Sequence, residues 1–323
     1  MRSFIVGIAI GFMGIVPLAQ AQGAYPNKPV RMVVGYAAGG ISDILARSVA
    51  QAMGKHLGQP VVVENKPGAS GMIGADSVAK SAPDGYTIGL SSGGPFAINI
   101  QMVEKPLYDP IKDFTHIGQV SISDMVLIVN NSFPGKSLAE FVSEVKKQPG
   151  KYSFGSAGLG LPTHLAGELL KQTASLDIVH VPYKGDAPAL ADLIGGSIPA
   201  MVASLGSAVN QIKAGQVRAI AVFGKDRVPS ANTIPTVAES GYPGFHAMLW
   251  GGISGPAGLT PEVLARLNSA LRSALQEPEV KSRFAELGLV ASYNSPEEFT
   301  AYIKDDSAKW GAIIKRLGLK QPG

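Results

Sequence analysis

The sequence contains no cysteine, which excludes a disulfide framework and any chemistry that depends on a thiolate. Charged residues make up only 16% of the chain and hydrophobic residues 46%, a balance that argues against intrinsic disorder. Lysine and arginine are scattered, and their densest cluster, Lys146, Lys147 and Lys151, is small. Because nucleic acid binding needs a basic stripe interleaved with aromatic residues, we expect no nucleic acid partner.

Long apolar runs are also absent beyond one at the beginning of the chain. Residues 4–18 are uncharged and mostly apolar, they follow Arg2, and Ala19-Gln20-Ala21 comes next. This pattern predicts a secretory signal peptide, residues 1–21, cleaved after Ala21. The alternative is a membrane anchor, but about 15 apolar residues fall short of the roughly 20 that span a bilayer. The other 302 of 323 residues would form about two soluble domains.

The remaining chain alternates short apolar runs with stretches typical of helices. The first unit has predicted strands at 30–34, 61–64 and 86–90, with helices at 43–57 and from 72 to 80. The second has strands at 126–129, 152–155, 178–181, 198–202 and 217–222, with helices at 186–194 and 207–214. Such alternation predicts an α/β fold with parallel sheets and helical crossovers.

The end of the chain is predicted to be helical after an extended segment at 248–253. Two predicted helices begin at capping boxes, which start at Ser137 and Ser295, and a third begins after Thr260.

Four glycine-containing turns, each predicted to open a helix, are the candidate binding elements. They are residues 37–43, 67–71, 155–160 and 183–186. A helix start exposes unpaired backbone N–H groups and the positive end of the helix dipole, and glycine allows a ligand to approach closely. Four such turns in two units therefore predict a site for a carboxylate or a similar anion.

The sequence motifs expected for cofactor binding, catalysis or metal binding were also considered. No dinucleotide-binding fingerprint or phosphate loop is present, so we expect no cofactor, and we expect no catalytic residue. The five histidines show no metal-ligand spacing, so no metal site is expected. His164 is as compatible with a structural role as with ligand contact. Asp43 is expected to cap its helix. Trp250 and Trp310 are expected in the core.

These turns and their flanking residues closely resemble the tripartite tricarboxylate transporter substrate-binding receptors, also called the Bug family. The resemblance is carried by YPNKPVRMVVGYAAGGISDILAR from Tyr25, VVVENKPGASGMIGADSVAKSAPDGYTIGL from Val61, YSFGSAGLGLPTHLAGELL from Tyr152, HVPYKGDAPALADLIGGSI from His180 and IPTVAESGYPGFHAMLWGGISGPAGLTPEV from Ile234. These stretches cover almost the whole chain after the predicted signal peptide.

The resemblance implies a two-domain periplasmic binding protein fold of type II, with a mainly parallel sheet flanked by helices in each domain. Domain 1 would comprise residues 22–124 and 250–323, and domain 2 residues 125–249. Two crossover strands, near 121–129 and 247–253, would form the hinge that closes over a ligand, a motion typical of this class.

The resemblance also implies the ligand-binding residues, which in this family hold a carboxylate through backbone amides and bridging water rather than through an arginine. The domain 1 half would be Tyr36, Ala37, Ala38, Gly39, Gly40, Ser42, Asp43, Gly68, Ala69, Ser70, Ser91 and Ser92. The domain 2 half would be Ser156, Ala157, Gly158, Gly160, Thr163, His164, Tyr183 and Asp186.

Three residues depart from the family pattern. Tyr36 adds a hydroxyl near the cleft, and Leu161 removes one from a slot that is often serine. Asp186 stands where small neutral residues are common, and it could either cap its helix or face a cationic group of the ligand.

The sequence therefore predicts a periplasmic receptor that binds a small carboxylate, such as a dicarboxylate, an amino acid or an aromatic acid. It would deliver this ligand to a membrane transporter, act as a monomer and catalyse no reaction. Two alternatives stay open: a secreted hydrolase that uses Ser92 or Ser156, and a ligand sensor that reports to a sensor kinase.

Overall fold

The computed structural model describes residues 25–228 and 231–320, so the predicted signal peptide lies outside the described residues. Ten strands of the described chain form one mixed sheet. They are β1 (Val30–Val34), β2 (Val61–Asn65), β3 (Thr87–Ser92), β4 (Phe114–Val129), β5 (Ser153–Ser156), β6 (Val179–Pro182), β7 (Ala200–Ser204), β8 (Arg218–Val222), β9 (Met248–Pro256) and β10 (Val290–Ala291).

Helices connect these strands, mostly at the predicted places. They are α1 (Ile41–Leu57), α2 (Met72–Ala79), α3 (Leu138–Lys147), α4 (Pro162–Thr173), α5 (Asp186–Gly195), α6 (Leu205–Lys213), α7 (Pro261–Ala274), α8 (Pro278–Glu286) and α9 (Pro296–Leu317).

Parallel pairing is confined to the two outer parts of the sheet. On one side, β1 pairs in parallel with both β2 and β3. On the other side, β5 pairs in parallel with β6 and β7. We call these parts, with their helices, the first and second units. Since each parallel pair is joined through a helix, the carboxyl ends of the strands carry the turns that open α1 and α4.

Strands β4 and β9 join the two units through antiparallel pairing. From Phe114 to Asp124, β4 pairs with β9, and from Met125 onward it pairs with β7 and β8. The residue pattern alone predicted the segment 126–129 of this long strand, and the family resemblance extended it to about residue 121. Its first part was missed because two register shifts, at His116/Gly118 and Gln119/Ser121, interrupt the alternation of apolar and polar residues that identifies a strand.

Side-chain caps fix where several helices begin. The Ser295 capping box that opens α9 is confirmed with both of its bonds, and the Thr260 side chain accepts from the Val263 amide at the start of α7. At α3, Ser137 accepts from the Glu140 amide, but the Glu140 carboxylate accepts from the amide of Lys136 rather than from that of Ser137. The prediction of a full capping box at Ser137 is therefore wrong in its second bond.

The hydrophobic core lies on both faces of the sheet. Met32 of β1 and Met53 of α1 are fully buried in a cluster that also includes Phe284 of α8. Trp250 and Trp310 are buried in the central cluster, as the sequence analysis expected. Burial of large aromatic side chains at this position stabilises the junction of α9 with the crossover strand β9.

Candidate functional site

A cavity of about 870 Å³ lies where the two units meet. Residues from both units and both crossover strands line it: Tyr36, Ile41, Ser42, Leu45, Ser70, Leu90, Ser92, Gly93, Gly94, Ile98, Asn99, Ser121, Ser123, Leu161, Pro162, Ser204, Gly206, Ser207, Val209, Asn210, Met248, Leu249, Trp250, Gly251, Ala285, Glu286, Leu287, Gly288, Leu289, Asp306 and Trp310. A concave site between domains with a few convergent polar groups is the usual location for a small ligand.

A second cavity, of about 670 Å³, lies along α1 and the edge strand β2, where Arg47, Gln51 and Val62 are among its lining residues. It borders the first unit only. Ligands of α/β sheets bind beyond the carboxyl ends of the strands. The cavity between the units is at that place, so we take it as the candidate site.

The candidate site is rich in hydroxyl groups and holds no basic side chain among its lining residues. Lysine, arginine and histidine are all absent from that lining. Its two carboxylates are already paired, since Glu286 lies 2.5 Å from Arg283 and Asp306 lies 2.8 Å from Lys309. An anion in this cavity would meet N–H and O–H groups rather than an unpaired side-chain cation.

The turn at 37–43 borders this cavity at the start of α1. Helix α1 begins after Gly40, and Ile41 and Ser42 line the cavity. Within the described chain, the amides of Gly40, Ile41 and Ser42 have no hydrogen-bond partner. Because α1 is 17 residues long, the positive end of its dipole adds to the attraction of these amides for an anion.

Asp43, in the first turn of α1, stabilises the same turn by bonding back to it. Its carboxylate accepts from the amide of Gly39 at 2.9 Å and from Asn65 at 2.9 Å. Arg47, which donates to this carboxylate at 3.0 Å, is the main group that lowers the pKa of Asp43 to about 2. Asp43 is buried and does not line the cavity. The expectation that it caps α1 is wrong, because the N-cap residue is Gly40 and no side-chain cap bond is made. The position of Asp43 indicates that it shapes the turn.

The next two predicted segments of the first unit differ in their relation to the cavity. Ser70 and Ser92 line it, and the Ser92 hydroxyl lies 3.2 Å from that of Tyr36, whose pKa is raised by burial. Ser91 points away from the cavity, is fully buried, and hydrogen-bonds to Ser254 at 3.0 Å. The alternation is expected, since successive side chains of a strand face opposite sides.

The turn at 155–160 in the second unit uses its own side chains to satisfy its amides. The amide of Ala157 donates to the Thr163 hydroxyl at 3.1 Å, and that of Gly160 donates to Nδ1 of His164 at 3.0 Å. The Gly158 amide lies 3.3 Å from the Ser156 hydroxyl. None of these residues lines the cavity, whereas the neighbouring Leu161 and Pro162 do.

Two stacked histidines support the turn at 155–160, which we call the closed turn because side chains of the same segment bond to its amides. The rings of His164 and His180 lie 3.8 Å apart between centroids. Burial lowers the pKa of His164 to about 4 and that of His180 to about 3, so both rings are neutral at pH 7. A neutral His164 can accept from the Gly160 amide, which fixes its Nδ1 as the unprotonated nitrogen. The geometry gives His164 a structural role.

The same histidines bear on the hydrolase alternative. The Ser156 hydroxyl lies 2.7 Å from Nε2 of His180, which is a suitable distance for a nucleophile and its base. Ser156 is fully buried, however, and neither residue lines the cavity. Ser92, the other candidate nucleophile, pairs with the Tyr36 hydroxyl rather than with a histidine. The structure brings no reachable serine–histidine pair to the described part of the site.

Asp186 and Tyr183 lie behind the cavity wall. The Tyr183 hydroxyl donates to Asp192 at 2.8 Å. Oδ2 of Asp186 accepts from the hydroxyls of Ser204 and Ser207, which line the cavity, and from the Ser204 amide at 3.3 Å. Asp186 therefore bonds neither to its own helix start nor directly to the cavity, and it acts on the cavity through the two serines.

Four of the predicted binding residues line the cavity: Tyr36, Ser42, Ser70 and Ser92. The other predicted residues are not among the lining residues. They are Ala37, Ala38, Gly39, Gly40, Asp43, Gly68, Ala69, Ser91, Ser156, Ala157, Gly158, Gly160, Thr163, His164, Tyr183 and Asp186. The sequence analysis missed five polar lining residues: Ser121 and Ser123 of the crossover strand β4, and Ser204, Ser207 and Asn210 at the end of β7 and in α6. Serines two residues apart, as at 121 and 123, mark a polar strand face and could have been recognised.

Within residues 25–228 and 231–320, no group of three or more potential ligands is arranged to hold a metal ion. Across the same ranges, every helix is too short or too polar to cross a bilayer.

Residues 45–319 match the family model described as the tripartite tricarboxylate transporter family receptor. The protein BugT of Bordetella pertussis is 34% identical over 317 residues, which cover 98% of this chain and 97% of BugT.

Solved structures show the same likeness. A structure of an R. palustris protein with adipate has a TM-score of 0.72 and 32% identity, over 92% of this chain and 99% of that one. MatC from Rhodopseudomonas palustris with bound malate has a TM-score of 0.68 and 31% identity, over 90% and 100% of the respective chains. The fold is thus the two-domain α/β fold of type II periplasmic binding proteins, with β4 and β9 as the crossover strands.

Proposed function

Since the chain belongs to the tripartite tricarboxylate transporter family of receptors, we propose that it binds a small carboxylate in the cavity between its domains and delivers it to a membrane transporter. The family consists of periplasmic solute receptors, not enzymes. The adipate and malate in the two related structures are both small carboxylates. They support the same ligand class for this chain.

The start of α1 carries the proposal. Its amides at Gly40, Ile41 and Ser42 have no partner within the described chain, and Ile41 and Ser42 line a cavity that has hydroxyl groups and no basic side chain. A carboxylate docked at Ile41 and Ser42 would receive backbone hydrogen bonds and the field of the helix dipole together. Tyr36, Ser70 and Ser92 would complete the first-domain half of the site. In the second domain, the turn at 155–160 would support the wall from behind rather than bind the ligand through its amides.

Hinge closure would bring the second-domain wall onto the ligand. We propose domain 1 as residues 22–124 and 250–323 and domain 2 as residues 125–249. The change of partner strand after Asp124 supports this boundary, since β4 leaves β9 there and continues beside β7. Two antiparallel strands that pass between domains can bend with little loss of pairing, as expected of a hinge.

Export by a signal peptide cleaved after Ala21, a monomeric state and a transporter partner complete the proposal. The apolar run at 4–18 supports export, and the family supports a periplasmic location.

Thermal unfolding with a panel of organic acids tests this function. A receptor should be stabilised by RT ln(1 + [L]/Kd), which is about 2.7 kcal/mol at one hundred times Kd. The matched control for each acid is its uncharged amide, which should give no stabilisation. Mass spectrometry of the released ligand should recover it unchanged. Stabilisation by amides as strong as by acids, or conversion of the ligand, would contradict the proposal.

A further inference from the structure

Asp186, Ser204 and Ser207 form a hydrogen-bonded cluster on the second-domain wall of the cavity. Ser207 Oγ lies 2.8 Å from Oδ2 of Asp186 and 2.8 Å from the carbonyl oxygen of Ser204. Ser204 Oγ hydrogen-bonds to the same Oδ2 and lies 3.1 Å from Ser207 Oγ. The two serines line the cavity, and Asp186 lies behind them.

The number of hydroxyl protons in this cluster determines whether the wall can donate hydrogen bonds to a ligand or only accept them. A serine hydroxyl has one proton to donate and two lone pairs to accept with, whereas a carboxylate and a carbonyl only accept. The Ser207 hydroxyl can donate to Asp186, to the Ser204 carbonyl or to the Ser204 hydroxyl, and the Ser204 hydroxyl can donate to Asp186 or to the Ser207 hydroxyl. In each arrangement both protons stay inside the cluster, so the serines can offer only lone pairs to a ligand.

The wall also carries negative charge, which favours a hydrogen-bond donor as its acceptor groups do. None of the ion pairs in the described chain includes Asp186, and its Oδ1 is buried without a hydrogen bond. The other two carboxylates at the cavity differ, because Glu286 and Asp306 are neutralised by Arg283 and Lys309. The wall at Ser204 and Ser207 is therefore an acceptor surface with an uncompensated negative charge behind it.

We infer that this cluster selects carboxylates that also carry a hydrogen-bond donor, above all an ammonium group. The inference rests on the proposed function, in which the carboxylate docks at the start of α1. The ligand's donor would then face Ser204 and Ser207, with Asp186 as a positioning residue that fixes both hydroxyls. The ligand class is an amino acid, with hydroxy acids second and unsubstituted acids weakest.

Isothermal titration with pairs of acids that differ only in a 2-amino group tests the inference. Suitable pairs are aspartate and succinate, glutamate and glutarate, and 2-aminoadipate and adipate, with malate as the hydroxyl-bearing member of the four-carbon set. For a chain length that binds, the amino acid should bind about tenfold or more tightly than its unsubstituted partner, since hydrogen bonds to charged groups are the strong ones.

Two variants locate the preference. Ser207→Ala should weaken the amino acid about tenfold and leave the unsubstituted acid within about twofold, because only the former uses this hydroxyl. Asp186→Asn, whose amide can donate to the serines and turn their protons toward the cavity, should abolish or reverse the preference. The matched control is Ser92→Ala on the first-domain wall, which should weaken both members of a pair alike. Retained binding of the unsubstituted acid shows that each variant is folded.

The outcomes separate the inference from the proposed function. If acids bind but unsubstituted ones bind as tightly as their amino partners, or if Ser207→Ala weakens both equally, the inference is wrong and the receptor function stands. If no acid in the panel binds, the proposed function itself fails.

Discussion

The turns at 37–43 and 155–160 both join a strand to a helix through glycine, yet their amides have different partners. At 37–43, the amides of Gly40, Ile41 and Ser42 are free and two of these residues border the cavity. At 155–160, the helix that follows returns its own Thr163 and His164 side chains to the turn. A glycine turn at a helix start thus provides an anion site only when the first residues of the helix leave its amides unoccupied.

The largest effect should follow from placing a negative charge at the turn at 37–43, which we call the open turn because its amides at 40–42 have no partner within the described chain. Ser42→Asp puts a carboxylate in the first turn of α1. Its interaction with the helix dipole stabilises the helix, but its charge repels a ligand carboxylate. We expect affinity for the best-bound acid to fall about a hundredfold or more while the melting temperature is unchanged or higher. Titration calorimetry and thermal unfolding measure the two effects.

Ser42→Asn is the matched control, because it has the same shape without the charge, and it should lose far less affinity. Equal losses in the two variants would mean that the ligand's charge is not held at this helix start.

The closed turn should be sensitive to acid. The pKa of His164 is about 4 in the folded protein, below its ordinary value of 6.5, so its contribution to stability is full above pH 6.5 and is lost as pH falls toward 4. Protonation removes the acceptor for the Gly160 amide. We expect about 1–2 kcal/mol of unfolding free energy to be lost between pH 7 and 5, after solvent screening is discounted.

His164→Asn retains an acceptor that does not titrate, and denaturant unfolding of this variant should show a weaker dependence on pH. Equal pH dependence in the variant and the original protein would show that His164 does not control the turn. His180 shares the same direction of pKa shift, which burial causes, and therefore sets the part of the dependence that remains.

A smaller effect should follow from opening the closed turn at one bond. Thr163→Val keeps the shape of the side chain and removes the acceptor for the Ala157 amide. We expect a loss of about 1 kcal/mol in the free energy of unfolding, with ligand affinity unchanged. Thr173→Val, at an exposed hydroxyl later in α4, is the control and should stay within about 0.5 kcal/mol. A large loss of affinity in Thr163→Val would contradict the assignment of this turn to support.

Much of the fold was predictable because its strands and caps are local patterns. The strand at 30–34 and the capping box at Ser295 depend on neighbouring residues only, and both appear in the structure as predicted. The first part of β4 was not predictable in this way. Its residues before Ser121, with their register shifts, carry no regular strand pattern, and this part forms because β9 lies beside it.

In the candidate site, too, the features set by neighbouring residues were predictable and those set by tertiary contacts were not. The turns at 37–43 and 155–160 were identified from glycine and helix starts, but their different states depend on side chains that fold back onto the amides. The role of Asp186 shows the limit most clearly. Its partners, Ser204 and Ser207, lie at the start of a later helix, and no spacing in the sequence connects them to it.

The most direct test of the account is amide NMR of ¹⁵N-labelled protein during titration with an acid that stabilises it. If a carboxylate docks at the open turn, the amide protons of Gly40, Ile41 and Ser42 should shift downfield, as expected for new hydrogen bonds to an anion. Those of Ala157 and Gly160, already bonded within the protein, should shift far less. Large shifts at 157 and 160 with none at 40–42 would contradict the account.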